Sequence, residues 1–236
     1  MKLPTLLPTA ISAVLLLTVL GQWAVSQPAA PTLAPIPAFT KGARILFQGD
    51  SITDGNRGRS LDPNHILGHG YCFIIAARHG AAFPELDLDF YNRGVSGNTV
   101  LDLQKRWQHD TLDLKPDLLS VLIGINDEGR GIPVEQYEQV YDQLLADARA
   151  ANPKLKLVLC EPFGGAVSDG LRRRQAVVAR LAAKYQAALV PCQKAFDAAI
   201  ERAPVKHWIW DGVHPTYSGH QILADAWEAA ARSLAP

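Results

Sequence analysis

The chain has no excess charge of either sign: its 236 residues carry 23 Lys+Arg against 23 Asp+Glu. A protein that grips nucleic acid by neutralising phosphates needs a basic surplus, so that class is excluded. Charged residues are only 19% and apolar residues 48%, and there is no low-complexity tract. Intrinsic disorder is thereby excluded for most of the length. Cysteine is scarce, at Cys72, Cys160 and Cys192, with no Cys-x-x-Cys pair, which removes a zinc ribbon and a thioredoxin-like redox site. One disulfide at most is allowed. Cys160 and Cys192 are each read as ending a strand, and neighbouring strands lie about 4.8 Å apart, so a bridge between them is an open expectation. Internal repeats and interior linkers are also missing, and the length suits one domain that buries its core without staples.

Long apolar runs are missing too. The run from Ala10 to Leu20 is interrupted by Ser12 and Thr18, and it is short of the ~20 residues a bilayer-spanning helix needs. Preceded by Lys2 and followed by Ala24-Val25-Ser26, it reads as a signal peptide over residues 1–26, cleaved after Ser26, with an uncleaved N-terminal anchor as the alternative. No cysteine follows the run, so a lipoprotein is excluded. Secretion or periplasmic export is expected, without stable membrane insertion once the signal is removed. Residues 27–40 contain Pro28, Pro31, Pro35 and Pro37, a density that forbids helix and favours an extended tether. The folded domain is expected over 41–236.

What is present is an alternation of two periods. Strand-length apolar runs occur at Arg44–Gln48, Leu88–Asn92, Leu118–Ile123, Leu155–Cys160 and Ala188–Pro191. Between and after them, helical spacing covers Tyr71–His79, Val100–Gln108, Val134–Ala150, Leu171–Tyr185 and Gln221–Leu234. Alternating strands and helices specify an α/β protein, a parallel sheet with helices on both faces. In such sheets ligands gather at the carboxyl ends of the strands.

The chemically distinctive residues fall at those ends. Gly49-Asp50-Ser51-Ile52-Thr53 follows the first strand, so the Ser51 hydroxyl sits on a turn where it can face open space; taken alone, the stretch also reads as an ordinary helix cap. The second strand leads into Asn92-Arg93-Gly94-Val95-Ser96-Gly97-Asn98-Thr99, whose glycines let backbone N–H groups approach a ligand. The third ends in Gly124-Ile125-Asn126-Asp127, placing an uncharged amide donor at the same edge. Near the C-terminus, Asp211-Gly212-Val213-His214-Pro215 puts a carboxylate three residues before an imidazole on a turn, where it can fix the His214 tautomer. Each segment alone is weak. Their conjunction at successive element boundaries is not.

These four segments resemble the sequence blocks of the SGNH hydrolases, the GDSL esterase/lipase superfamily, from about Arg44 to Leu234. The resemblance implies a three-layer α/β/α sandwich with a five-stranded parallel sheet in the flavodoxin-like order 2-1-3-4-5. It also implies a serine esterase working through an acyl-enzyme, with no cofactor and no metal. Ser51 matches the nucleophile, His214 the base and Asp211 its orienting carboxylate. Ser51, Gly97 and Asn126 match the oxyanion donors. The stretches NRGVSGNTVLDL (Asn92–Leu103), IGIND (Ile123–Asp127) and WDGVHP (Trp210–Pro215) are most similar to bacterial esterases that deacetylate xylan and xylo-oligosaccharides, as is Leu67-Gly68-His69-Gly70-Tyr71. Asp50, Tyr71 and Trp210 are the expected substrate contacts. Glu128-Gly129-Arg130 departs from the pattern, in which an aromatic residue follows the Asn-Asp pair.

Other residues invite weaker readings. His65, His69, His207 and His220 lack the paired i, i+4 spacing of a helix-borne zinc site. Trp208 reads as core, and Arg172-Arg173-Arg174 as a solvated helix face. The polar loop from Asp54 to Gly70 favours a sugar ester over a long acyl chain, which leaves a lysophospholipase or thioesterase as the nearest alternative. A non-catalytic carbohydrate-binding module on the same fold is the alternative from another class; such a module has no need of Ser51, His214 and Asp211 together.

Overall fold

Alternate residues of each strand belong to two different cores. In a computed structural model describing residues 33–60 and 62–235, β1 (Arg44–Gly49) sends Ile45 and Phe47 to one side and Leu46 to the other. β2 (Asp89–Asn92), β3 (Leu118–Leu122), β4 (Lys156–Cys160) and β5 (Ala188–Val190) complete the sheet. All pairings are parallel, in the order β2-β1-β3-β4-β5, as the family resemblance implies. β3 divides in the same way, with Leu118 and Leu122 in one cluster and Leu119 and Val121 in the other. A strand buried on both faces has no polar side, which is why these runs read as continuous rather than alternating.

Nine α-helices occur among the described residues: α1 (Ser51–Asp54), α2 (Tyr71–Ala82), α3 (Val100–Trp107), α4 (Ile125–Gly129), α5 (Val134–Ala151), α6 (Asp169–Tyr185), α7 (Cys192–Ile200), α8 (Val205–Trp208) and α9 (Tyr217–Ala231). α2, α7 and α9 supply the first core, through residues such as Ile75, Phe196 and Trp227. α3, α5 and α6 supply the second, through Trp107, Tyr141 and Val178. Local chemistry sets the helix ends. Thr99 and Asp102 form a reciprocal capping box at the start of α3, Ser168 caps α6 and Thr216 caps α9. None of the helices among the described residues is long and apolar enough to cross a membrane.

Four expectations are corrected here. Residues 36–39 are not tether: Ile36, Ala38 and Phe39 are buried, and the Phe39 ring meets His79 and Phe90 edge-on. The folded body therefore begins before Lys41; residues 1–32, with the signal peptide and the first part of the tether, lie outside the described residues. α7 was not anticipated, because it follows β5 after Pro191 alone and its buried stripe is only Cys192, Phe196 and Ala199. Cys192 thus opens a helix instead of closing a strand, and all three cysteines are buried free thiols. Arg174 departs from the solvated face expected for it: it is 3% exposed and donates to the Gly170 and Ile132 carbonyls over the Tyr137 ring.

Trp227 joins α9 to the sheet. Its ring is fully buried against Phe47, and its indole N–H donates to Ser120 Oγ at 2.8 Å from β3. Trp227→Ala should therefore cost about 3–5 kcal/mol of unfolding free energy, from lost contacts and a residual cavity. Urea denaturation checks this, and a loss below about 1 kcal/mol, typical of a surface change, would contradict it.

Candidate active site

Parallel strands deliver their carboxyl ends to one edge, and three of the four motif segments leave the sheet there. The register sets Gly49 of β1 opposite Leu122 of β3, and Phe47 opposite Asn92 of β2. Asp50 caps α1, its Oδ1 accepting the Ile52 N–H at 3.0 Å, which leaves Ser51 at the first helical position. The loop after β2 backs directly onto α1: a Cβ at Gly94 would collide with the Asp54 backbone nitrogen, so only glycine fits. Asn92 seals the contact from beneath, its Nδ2 donating to the carbonyls of Thr53 (2.6 Å) and Leu67 (3.0 Å).

The fourth segment arrives from the α8–α9 connection. Ile209 bridges Pro215 in antiparallel fashion, and Trp210 N–H donates to the His214 carbonyl at 3.1 Å. Inside this tight turn, Asp211 Oδ1 accepts the N–H groups of Val213 (3.0 Å) and His214 (2.7 Å). Its Oδ2 lies 2.6 Å from His214 Nδ1. Burial alone would raise Asp211, but these hydrogen bonds and the neighbouring imidazole outweigh it and hold the carboxyl below its ordinary value. With Nδ1 committed to a carboxylate, Nε2 of a neutral His214 is the acceptor nitrogen. It lies 2.8 Å from Ser51 Oγ, across 163 positions of chain.

The candidate oxyanion donors Gly97 and Asn126 are linked through the loop after β2. Asn126 lies near the start of α4 and its Nδ2 donates to the Asn98 carbonyl at 3.0 Å; an amide NH₂ has a second hydrogen to give. Gly97 has φ +81°, a left-handed conformation that glycine adopts at no steric cost. Its carbonyl accepts from Arg130 at 2.7 Å, so a residue that departs from the family pattern braces the loop that carries Gly97. Trp210 is 60% exposed, with its ring 6.4 Å from the His214 ring and nearly parallel to it.

Two expected substrate contacts are corrected. Tyr71 is completely buried, its ring edge-on to Phe47 and its hydroxyl 3.1 Å from Thr53 Oγ1; it packs α2 onto β1. Asp50 is 1% exposed, and its carboxylate is committed to the cap. The loop over 54–70 is polar for internal reasons as well. Arg57 is buried and donates to the Gly94 carbonyl at 2.9 Å, while Asp62 accepts from Asn64 and pairs with His65. Among the histidines, His220 is buried and its Nδ1 accepts the Tyr71 N–H at 3.2 Å. Burial, with His69 and His214 nearby, pushes His220 down to about 4. No group of three potential metal ligands occurs among the described residues.

Sequence reasoning overlooked two buried carboxylates beside this edge, Asp54 on α1 and Asp127 on α4; both stand inside recognised motifs, but nothing in spacing distinguishes an internal brace from a loop residue. Burial raises Asp127 to about 6 against the opposing Val100 N–H and Arg174 charge. Burial raises Asp50 further, to about 7, partly offset by the Ile52 N–H, with Asp127 adding repulsion and His214 attraction. The sign of the consequence is fixed. Asp50 holds its proton more tightly folded than unfolded, so its contribution to stability is full below about pH 4 and is lost as pH rises through about 7. Asp50→Asn keeps an oxygen for the Ile52 N–H without the buried charge. Its melting temperature relative to the parent should climb between about pH 4 and about pH 8, and a pH-independent difference in paired thermal melts would contradict this.

The chain matches the GDSL-like Lipase/Acylhydrolase family over residues 47–222. It is 37% identical over 201 residues to the acetylxylan esterase of Geobacillus stearothermophilus, covering 78% of this chain and 92% of that protein. The crystal structure of an acetylxylan esterase from that organism superposes with a TM-score of 0.75 at 33% identity, covering 82% of this chain and 96% of the other. An alpha/beta hydrolase enzyme from the metagenome of Lake Arreo gives the same TM-score and identity, covering 83% and 97%. With family match, sheet order and relatives in agreement, this chain belongs to the GDSL-like lipase/acylhydrolase family.

Proposed function

We propose that this carboxylic ester hydrolase removes O-acetyl groups from xylan or related acetylated oligosaccharides, with Ser51 as nucleophile. The observation that carries the reading is the hydrogen-bonded series Ser51 Oγ–His214 Nε2 at 2.8 Å and His214 Nδ1–Asp211 Oδ2 at 2.6 Å. A serine hydroxyl at its ordinary pKa is a poor nucleophile, and an acceptor nitrogen at this distance removes the proton as the oxygen attacks the ester carbonyl. Asp211 holds the imidazole in the required tautomer and stabilises the imidazolium that forms.

Negative charge then develops on the former carbonyl oxygen. The backbone N–H groups of Ser51 and Gly97 and the second amide hydrogen of Asn126 receive it, donors set in place before the reaction begins. His214 returns its proton to the leaving sugar hydroxyl, the acetyl group remains on Ser51, and water repeats the sequence to release acetate. The similarity to an acetylxylan esterase supports the acetylated-glycan substrate. Trp210, exposed beside the imidazole, offers an aromatic face of the kind that sugars stack on. Catalytic mutants of that Geobacillus esterase replace a serine or an aspartate by alanine, in keeping with roles for Ser51 and Asp211 here. Lys2 and the apolar run after it support an exported enzyme, where acetylated glycan is encountered.

Ser51→Ala should abolish turnover of a short-chain chromogenic acetate with an unchanged circular dichroism spectrum, and Asn126→Ala should lower kcat about 10²–10³-fold. Equal activity in the serine variant would remove Ser51 from the mechanism. Acetate release from acetylated xylan, other acetylated glycans and phospholipid, compared under one set of conditions, tests the substrate. Preference for phospholipid would overturn the glycan reading.

A further inference from the structure

The loop that carries Gly97 is held at both ends by buried carboxylates, each from a helix that bears another of the proposed oxyanion donors. At the near end, Asp54 is three residues after Ser51 on α1 and 1% exposed. Its Oδ2 accepts both the N–H of Ser96 at 2.9 Å and the Ser96 hydroxyl at 2.8 Å. Ser96 is the residue immediately before Gly97. At the far end, Asp127 follows Asn126 on α4 and is fully buried. Its Oδ1 accepts the Val100 N–H at 2.9 Å, where α3 begins, and its Oδ2 meets no hydrogen-bond donor among the described residues.

The two carboxylates are charged differently for physical reasons. Burial would raise Asp54, but Arg59 donates to both of its oxygens, at 2.9 and 2.8 Å, and with Ser96 holds it below the ordinary carboxylate value. Asp127 has no arginine in hydrogen-bond contact. A fold could hold the loop with apolar packing at far lower desolvation cost. Carboxylates instead give directional, charge-assisted bonds to particular N–H groups, and such bonds fix orientation as well as position. Between the two anchors only Gly97, Asn98 and Thr99 intervene, and Asn98 is tied through its carbonyl to Asn126 Nδ2.

We infer that Asp54 and Asp127 are positioning residues that aim the Gly97 N–H at the oxyanion, coupling the Ser51 and Asn126 helices through one short loop. The inference rests on the esterase reading for its kinetic consequence, and on geometry alone for the placement of the Gly97 amide. Both carboxylates are buried, so they act through the loop rather than on substrate. Their effect falls on transition-state stabilisation, so it appears in kcat and leaves KM nearly unchanged.

The test uses alanine and asparagine at each position, assayed on a short-chain acetate ester at a temperature where circular dichroism shows the variants folded. Asp54→Ala and Asp127→Ala should each lower kcat about 10²-fold, the cost of a misplaced donor, with KM within a few-fold of the parent. Asp54→Asn and Asp127→Asn keep one acceptor oxygen and should fall between. Because both residues act on one amide, the double alanine variant should lose far less than the product of the single losses. The Gly97 amide resonance in ¹⁵N–¹H spectra should move in every variant. Parent-like kcat in the alanine variants, or in the asparagine variants if alanine prevents folding, overturns the inference, as do fully multiplicative losses or an unmoved Gly97 resonance. If the parent itself fails to hydrolyse the ester, the esterase reading fails instead, and the Gly97 resonance still decides the positioning.

Discussion

The contact between Ser51 Oγ and His214 Nε2 joins positions 163 residues apart, and most of the architecture can be understood as what makes it possible. Ser51 is held by the end of β1 and the Asp50 cap. His214 is held by a turn whose carboxylate, Asp211, bonds two backbone N–H groups and the ring itself. Asp211 organises its own turn before it orients the imidazole, and the Ile209–Pro215 bridge and the Trp210 N–H to His214 carbonyl bond close that turn.

Topology explains why the other donors converge. In a parallel sheet ordered β2-β1-β3-β4-β5, β1 is flanked by β2 and β3, so the loops after these three strands are neighbours by necessity. The loop after β2 and the helix after β3 accordingly leave the sheet on either side of the turn that carries Ser51. Close approach is then enforced by residues without bulk, Gly94 against Asp54, and by buried polar staples such as Asn92. A buried carboxylate is a costly way to brace a loop, and this edge contains three: Asp50, Asp54 and Asp127.

The sheet was readable in the sequence because doubly buried strands leave uninterrupted apolar runs bounded by turn residues, as at Leu118–Leu122. Long helices were readable from their stripes. Short ones such as α1, α4 and α8 were not, since four or five residues show no period. The π-helical segment Gln108–Leu112 after α3 escaped for the same reason. Ile36 and Phe39 were hidden by prolines that speak for an extended chain but not for where it runs. Within the candidate site, residue types and order were enough to single out Ser51, His214 and Asp211, which the structure brings into hydrogen-bond contact. Sequence could not separate side chains that line the site from side chains that brace it, so Tyr71 and Asp50 were expected at the substrate and Asp54 in an open loop. That distinction depends on burial, which a motif does not encode.

A fluorophosphonate reacts only with a serine whose proton is being removed and whose developing oxyanion is met by donors, so its site and rate of attachment report the assembled geometry. Mass spectrometry of the labelled protein should place the adduct on the peptide containing Ser51, with labelling slowed by orders of magnitude in His214→Ala. Attachment at another serine, or labelling of Ser51 at the same rate without His214, would contradict the account.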